Sequence, residues 1–120
     1  MSPKIEISIG ELFDKVTILE IKKEKGLPVD KELDMLTQDI SEFKSPLTDR
    51  LYDLLKFING QLWVIEDEKR SHEKDNDFKE KFVHLARLVY LLNDERARIK
   101  SMIDKECNSK ITEHKSHDSV

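Results

Sequence analysis

The chain is poor in residues that interrupt or cross-link a fold, with 1 Cys, 3 Gly and 3 Pro in 120 residues and only 7% aromatic residues. A single cysteine, Cys107, excludes an intrachain disulfide and points to a reducing compartment. With 38% hydrophobic and 38% charged residues beside so few Gly and Pro, the composition disfavours a turn-rich sheet protein and favours long helices with solvated faces. No apolar run approaches the roughly 20 residues of a membrane span, and the amino terminus has no apolar stretch of the signal-peptide type. A cytoplasmic protein with no membrane partner is expected. Nor is there an excess of positive charge: the net charge of −4 argues against a nucleic-acid partner, because phosphate contacts need a basic field.

What the chain does contain is helical periodicity. The pattern predicts an all-α bundle of about four helices, two short (about 8–25 and 30–44) and two long (about 46–75 and 77–106). Residues 1–109 read as one helical domain and 110–120 as a polar tail without a sustained period. Ser8 with Glu11 and Asp77 with Glu80 are capping-box pairs, Gly26-Leu27-Pro28 is a stop, and Ser45-Pro46 is a cap followed by a first-turn proline. Asn59-Gly60 falls inside the third helix, where it reads as a weakened or closely approached turn. A chain this short, with apolar faces on its first two helices, is expected to form a homo-oligomer.

The fourth helix carries an arginine where its core seam calls for an apolar residue. Phe82, Leu85, Val89, Leu92, Arg96, Ile99 and Ile103 follow 3-4 spacing. A guanidinium does not lose its proton, and leaving one buried and unpaired costs about 3–5 kcal/mol, so an internal acid or a ligand must meet it. Glu66, Asp67 and Glu73 of the third helix are the internal candidates. Beside that helix's apolar seam runs a stripe of Asn59, Trp63, Glu66, Arg70 and Glu73, and the fourth helix has a counterpart in Ala86, Tyr90, Asn93, Ala97 and Lys100 with Arg87 adjacent. Facing each other, these stripes would form a cleft with Trp63 and Tyr90 as flat walls. Arg70, Arg87, Arg96 and Lys100 would supply its charge, and Asn93 would read a polar edge. The alternative is that Glu66-Arg70 is an ordinary helix-surface pair and that the two aromatic residues simply pack.

Other chemistry finds little support. None of His72, His84, His114 or His117 has an acid three residues before it, as a di-iron bundle requires, and His114-x-x-His117 lies in the polar tail. Cys107 sits near a helix carboxyl end, which disfavours a thiolate. No phosphate loop, catalytic triad, metal site or cofactor site can be assigned.

The segments Ile7–Lys22 (ISIGELFDKVTILEIK), Leu62–Glu73 (LWVIEDEKRSHE), Phe82–Lys100 (FVHLARLVYLLNDERARIK) and Ser109–Ser116 (SKITEHKS) resemble a family of short helical bacterial and phage proteins known only as a domain of unknown function. That resemblance implies an all-helical fold and brings no activity with it. The family pattern has a Tyr after the final Lys-Ser, where this chain has His117. Phage membership would suggest a counter-defence protein that sequesters a nucleotide-derived signal. Helical chorismate mutases grip a dicarboxylate with Arg and Lys in a similar way, but their opening helix carries an Arg that the first helix here lacks. Three readings therefore stand. The first is a non-enzymatic binder of an anionic, nucleotide-like small molecule through Trp63, Arg70, Arg87, Tyr90, Asn93, Arg96 and Lys100. The second is an oligomeric interaction module with an internal salt-bridge network, and the third a small enzyme of mutase-like pocket chemistry.

Overall fold

A computed structural model describes residues 4–108, which form four α-helices: α1 (Ile9–Glu24), α2 (Asp30–Ile40), α3 (Pro46–Lys74) and α4 (Glu80–Glu106). Among the described residues there is no strand, so the fold is the expected all-α bundle. The polar tail, with His114 and His117, lies outside the described residues.

The helix ends follow from local chemistry. Ser8 Oγ accepts the Glu11 amide at 3.1 Å, and α1 stops in a Schellman turn. There Gly26, at φ 84°, donates to the Lys23 carbonyl and Leu27 donates to that of Lys22. Ser45 and Thr48 form a reciprocal capping box at the start of α3, with Pro46 in the first turn. Asn76, at φ 53°, closes α3 in the same way as Gly26 closes α1.

Two boundaries differ from expectation. The second helix ends at Ile40 and tightens into a 3₁₀ turn over Ser41–Phe43. The predicted Asp77–Glu80 box does not form, and α4 starts three residues later than expected, at Glu80. The Asp77 carboxylate instead accepts the Lys79 amide at 3.3 Å and lies 3.2 Å from His72 Nδ1. The Lys79 amide, followed by His72, holds that carboxyl below the usual carboxylate range.

Phe13, Val16 and Leu19 of α1, Leu33 and Ile40 of α2, Leu51, Leu55, Ile58 and Leu62 of α3, and Ile99 and Ile103 of α4 make one core. The apolar faces of α1 and α2 are thus matched within the subunit. The exposed apolar side chains lie mostly on the long helices, among them Leu54, Phe57 and Val64 on α3 and Val83, Tyr90 and Leu91 on α4.

Helices α1 and α4 approach closely at a glycine whose importance the sequence does not advertise. A Cβ on Gly10 would lie 2.3 Å from the Lys100 carbonyl oxygen, so α1 can seat against α4 only without a side chain there. Gly60, in contrast, has nothing within 4 Å of the equivalent position, and α3 runs through it unbroken. Gly10→Ala is therefore expected to destabilise the protein by about 2–3 kcal/mol through forced separation of α1 and α4. Gly60→Ala should stabilise it by about 0.5–1 kcal/mol through helix propensity alone. Urea denaturation of both variants checks the pair, and equal effects at the two glycines would contradict the close approach.

Candidate functional site

Three polar contacts tie α1 to α4 along one face, and they begin at Gly10. Its amide, one of the free donors in the first turn of α1, donates to Asp104 Oδ1 at 2.7 Å. One turn along α4, the buried Lys100 places Nζ 2.5 Å from Glu11 Oε2. Another turn back, Arg96 meets Asp14 in a fork: Nε donates to Oδ1 at 2.9 Å and Nη2 to Oδ2 at 2.5 Å. Arg96, Lys100 and Asp104 recur at intervals of four, so they share a face of α4, and their partners run in the opposite order along α1.

Asp14 is the deepest member, with 0% of its surface exposed. Its Oδ1 also accepts the Asn59 side-chain amide from α3 at 2.9 Å. The same Asn59 nitrogen donates to Thr17 Oγ1 at 2.8 Å, and Thr17 donates its own hydroxyl proton to the Asp14 carbonyl at 2.7 Å. Both neighbours of the Asn59 nitrogen are thus acceptors, which fixes which end of the amide is NH₂. Three helices converge on one carboxylate.

Beside this cluster opens a groove of about 360 Å³ between α1 and α3, bounded by Arg96. Ile18, Ile21 and Leu62 supply apolar surface, Trp63 an aromatic wall, and Asn59, Glu66, Arg70 and Arg96 its polar groups. Lys25 Nζ lies over the Trp63 ring, 5.4 Å from its centroid. Arg70 is exposed and hydrogen-bonded to Asp67, while Glu66 has Lys69 at 3.7 Å.

Of the residues singled out in the sequence, Trp63, Arg70 and Arg96 come together in this groove. Lys100 is turned to the α1 side and held by Glu11, and Arg87 and Tyr90 are exposed on α4 away from the groove lining. Among the described residues, Asn93 touches the site only through Arg96, whose Nη1 donates to its Oδ1 at 3.4 Å. The cleft is therefore built between α1 and α3 rather than between the two long-helix stripes. The acid that meets Arg96 is Asp14 of α1, not Glu66, Asp67 or Glu73. Helical periodicity hides this, because Asp14 sits between Phe13 and Val16 on a face otherwise read as ordinary core.

A second polar cluster joins α1 to the first half of α3, where the Tyr52 hydroxyl donates to Glu20, and Lys56 Nζ sits 3.1 Å from Glu20 and 2.8 Å from Glu24. Burial, then the Glu20 hydrogen bond, raises the Tyr52 pKa well above its ordinary value, and the bond to Glu24 leads in raising that of Lys56. Burial also pushes the Cys107 thiol up, with Glu106 and Asp104 adding to it, which leaves it a poor nucleophile. Among the described residues no group of three or more His, Cys, Asp or Glu side chains could hold a metal ion, and no helix is long and apolar enough to cross a membrane.

The Asp14–Arg96 fork generates a non-additivity test. Arg96→Leu leaves a buried carboxylate with only the Asn59 amide and is expected to cost about 3–5 kcal/mol. Adding Asp14→Leu should recover most of that loss, leaving about 1–3 kcal/mol for the Asn59 N–H deprived of its acceptor. Urea denaturation of the single and double variants measures this. Costs that simply add would mean that the two side chains do not depend on each other.

No curated protein and no solved structure gives a significant match to this chain. A family model matches residues 3–120, nearly the whole chain including the groove and the α1–α4 contacts, and its description is a family of unknown function. The chain belongs to that family, DUF6165.

Proposed function

We propose that this protein binds, without transforming it, an anionic small molecule that carries a planar ring, in the groove between α1 and α3. The observation that carries this reading is the meeting of an aromatic wall, Trp63, with Arg70 and Arg96 over an apolar floor of Ile18, Ile21 and Leu62. A ring buries its faces against the apolar surface, and a phosphate or carboxylate is met by guanidinium donors. The groove has the size of a small-ligand site. Arg96 is preorganised for such a role because Asp14 already fixes its rotamer. Lys100 and Glu11, by contrast, belong to the framework. Arg87 and Tyr90 stand outside the groove and enter the proposal no further.

A second reading, an interaction module, is favoured by a different observation: Leu54, Phe57, Val64, Val83 and Leu91 expose apolar surface on the two long helices. Calorimetry against nucleoside monophosphates, cyclic nucleotides and ADP-ribose separates the two. Binding by at least one member, weakened about tenfold or more by Trp63→Ala with the fold intact by circular dichroism, is the expected result. No heat from any member, together with a dimer mass by light scattering, would instead support the interaction module.

A further inference from the structure

One row of residues on α3 has the spacing of a packed seam and stays exposed. Arg50, Leu54, Phe57, Gln61, Val64 and Glu68 follow one another at alternating intervals of four and three, and every one of them is exposed. Leu54, Phe57 and Val64 leave 52%, 63% and 50% of their surface in water, although alternating threes and fours are how a helix presents a stripe to a partner helix. The core seam of α3 is a separate row, Leu51, Leu55, Ile58, Leu62 and Ile65, already buried within the subunit. At 3.6 residues per turn, the groove residues Asn59 and Trp63 lie about 100° or more round the helix from every member of the exposed row. The row and the groove are therefore different surfaces of α3.

The order of residues along the row is self-complementary. Arg50 and Glu68 stand nine residues before and nine after Asn59, Leu54 and Val64 five before and five after, and Phe57 and Gln61 two before and two after. Two copies of α3 packed antiparallel about a two-fold axis at the level of Asn59 would set each member against its counterpart, with an a position facing a d position in every layer. Leu54 then meets Val64, Phe57 meets Gln61, and the two ends of the interface are closed by Arg50 against Glu68. Within one chain that pair cannot form, since eighteen residues of helix hold the two side chains about 27 Å apart. A parallel, in-register pair would instead set arginine against arginine and glutamate against glutamate. The charges thus select the antiparallel arrangement.

We infer that this row is the docking surface for a second copy of the chain, joined α3 to α3 in antiparallel about Asn59, with two Arg50–Glu68 ion pairs fixing the register. The axis lies near the middle of the helix, so nearly its whole length, Pro46–Lys74, takes part. This inference goes beyond the binding reading and does not depend on it, because the groove opens on another side of α3 and remains accessible in the dimer.

Sedimentation of the full chain under reducing conditions, which keep Cys107 from linking two copies, tests it by charge reversal. The wild type is expected to sediment at twice its subunit mass of 14.1 kDa. Arg50→Glu and Glu68→Arg each place like charges opposite one another at both ends, and each should weaken dimerisation by about tenfold or more with helicity unchanged by circular dichroism. The double variant R50E/E68R restores opposite charges in exchanged places and should return the dimer to within about threefold of wild type. Phe57→Glu should leave a folded monomer. A wild type that stays monomeric at every concentration, a dimer indifferent to the single reversals, or single reversals that the double variant fails to rescue would each overturn the inference. None of these outcomes touches the groove, which nucleotide calorimetry of the same variants reports separately.

Discussion

A buried carboxylate has to be met by donors, and Asp14 of α1 is met from two other helices. α3 contributes Asn59 and α4 contributes Arg96, while Thr17 of α1 accepts from Asn59 and so steadies its amide. The cost of taking two charges out of water is offset only where the geometry is good and the remaining lone pairs are used, and both oxygens of Asp14 are used here. Such a cluster adds little net stability compared with an apolar core of the same shape. What it supplies is specificity of arrangement, because few relative placements of α1, α3 and α4 satisfy it.

The other two α1–α4 contacts act in the same direction. Sliding α4 by one turn so that Asp104 took the place of Lys100 would set it against Glu11. Sliding it the other way would bring Lys100 to the positive amino end of α1 and Leu92 to Asp14. Both slips leave a like-charge contact or an unmet buried carboxylate. The missing side chain of Gly10 is what lets the two helices come close enough for these contacts to form. The groove is a consequence of this arrangement. Arg96, which bounds it, is held by the Asp14 carboxylate that also fixes the helix register.

Much of the fold was legible in the sequence. The four helices, the Ser8 and Ser45 caps, the Gly26 stop and the seam Leu51, Leu55, Ile58, Leu62 and Ile65 all follow from spacing and local chemistry, and all appear in the structure. Arg96 was legible as an anomaly because it breaks an otherwise apolar seam. Its partner was not, since a heptad pattern gives the face of a residue but not which helix that face meets. Asp14, Thr17 and Gly10 are small residues that interrupt no pattern, and their significance lies in distances to residues more than forty positions away. The misplaced half of the cleft has the same origin. Tyr90 and Lys100 lie on one stripe of α4 by periodicity, yet α1 packs over the Lys100 end and leaves Tyr90 exposed. One clue was available: Arg96, Lys100 and Asp104 at successive intervals of four mark a charged face too regular for a solvated surface that also adjoins Ile99 and Ile103.

The central claim is that Arg96 is clamped on Asp14 before any ligand arrives. Nuclear magnetic resonance of the guanidinium groups in the ligand-free protein tests it most directly, by measuring the exchange of each arginine Nε–H with water. Arg98, one residue-pair along α4 with a side chain 68% exposed, is the internal reference. The account predicts that the Arg96 Nε–H, bonded to a buried carboxylate, exchanges at least about tenfold more slowly than that of Arg98. Equal exchange rates at the two sites would contradict it.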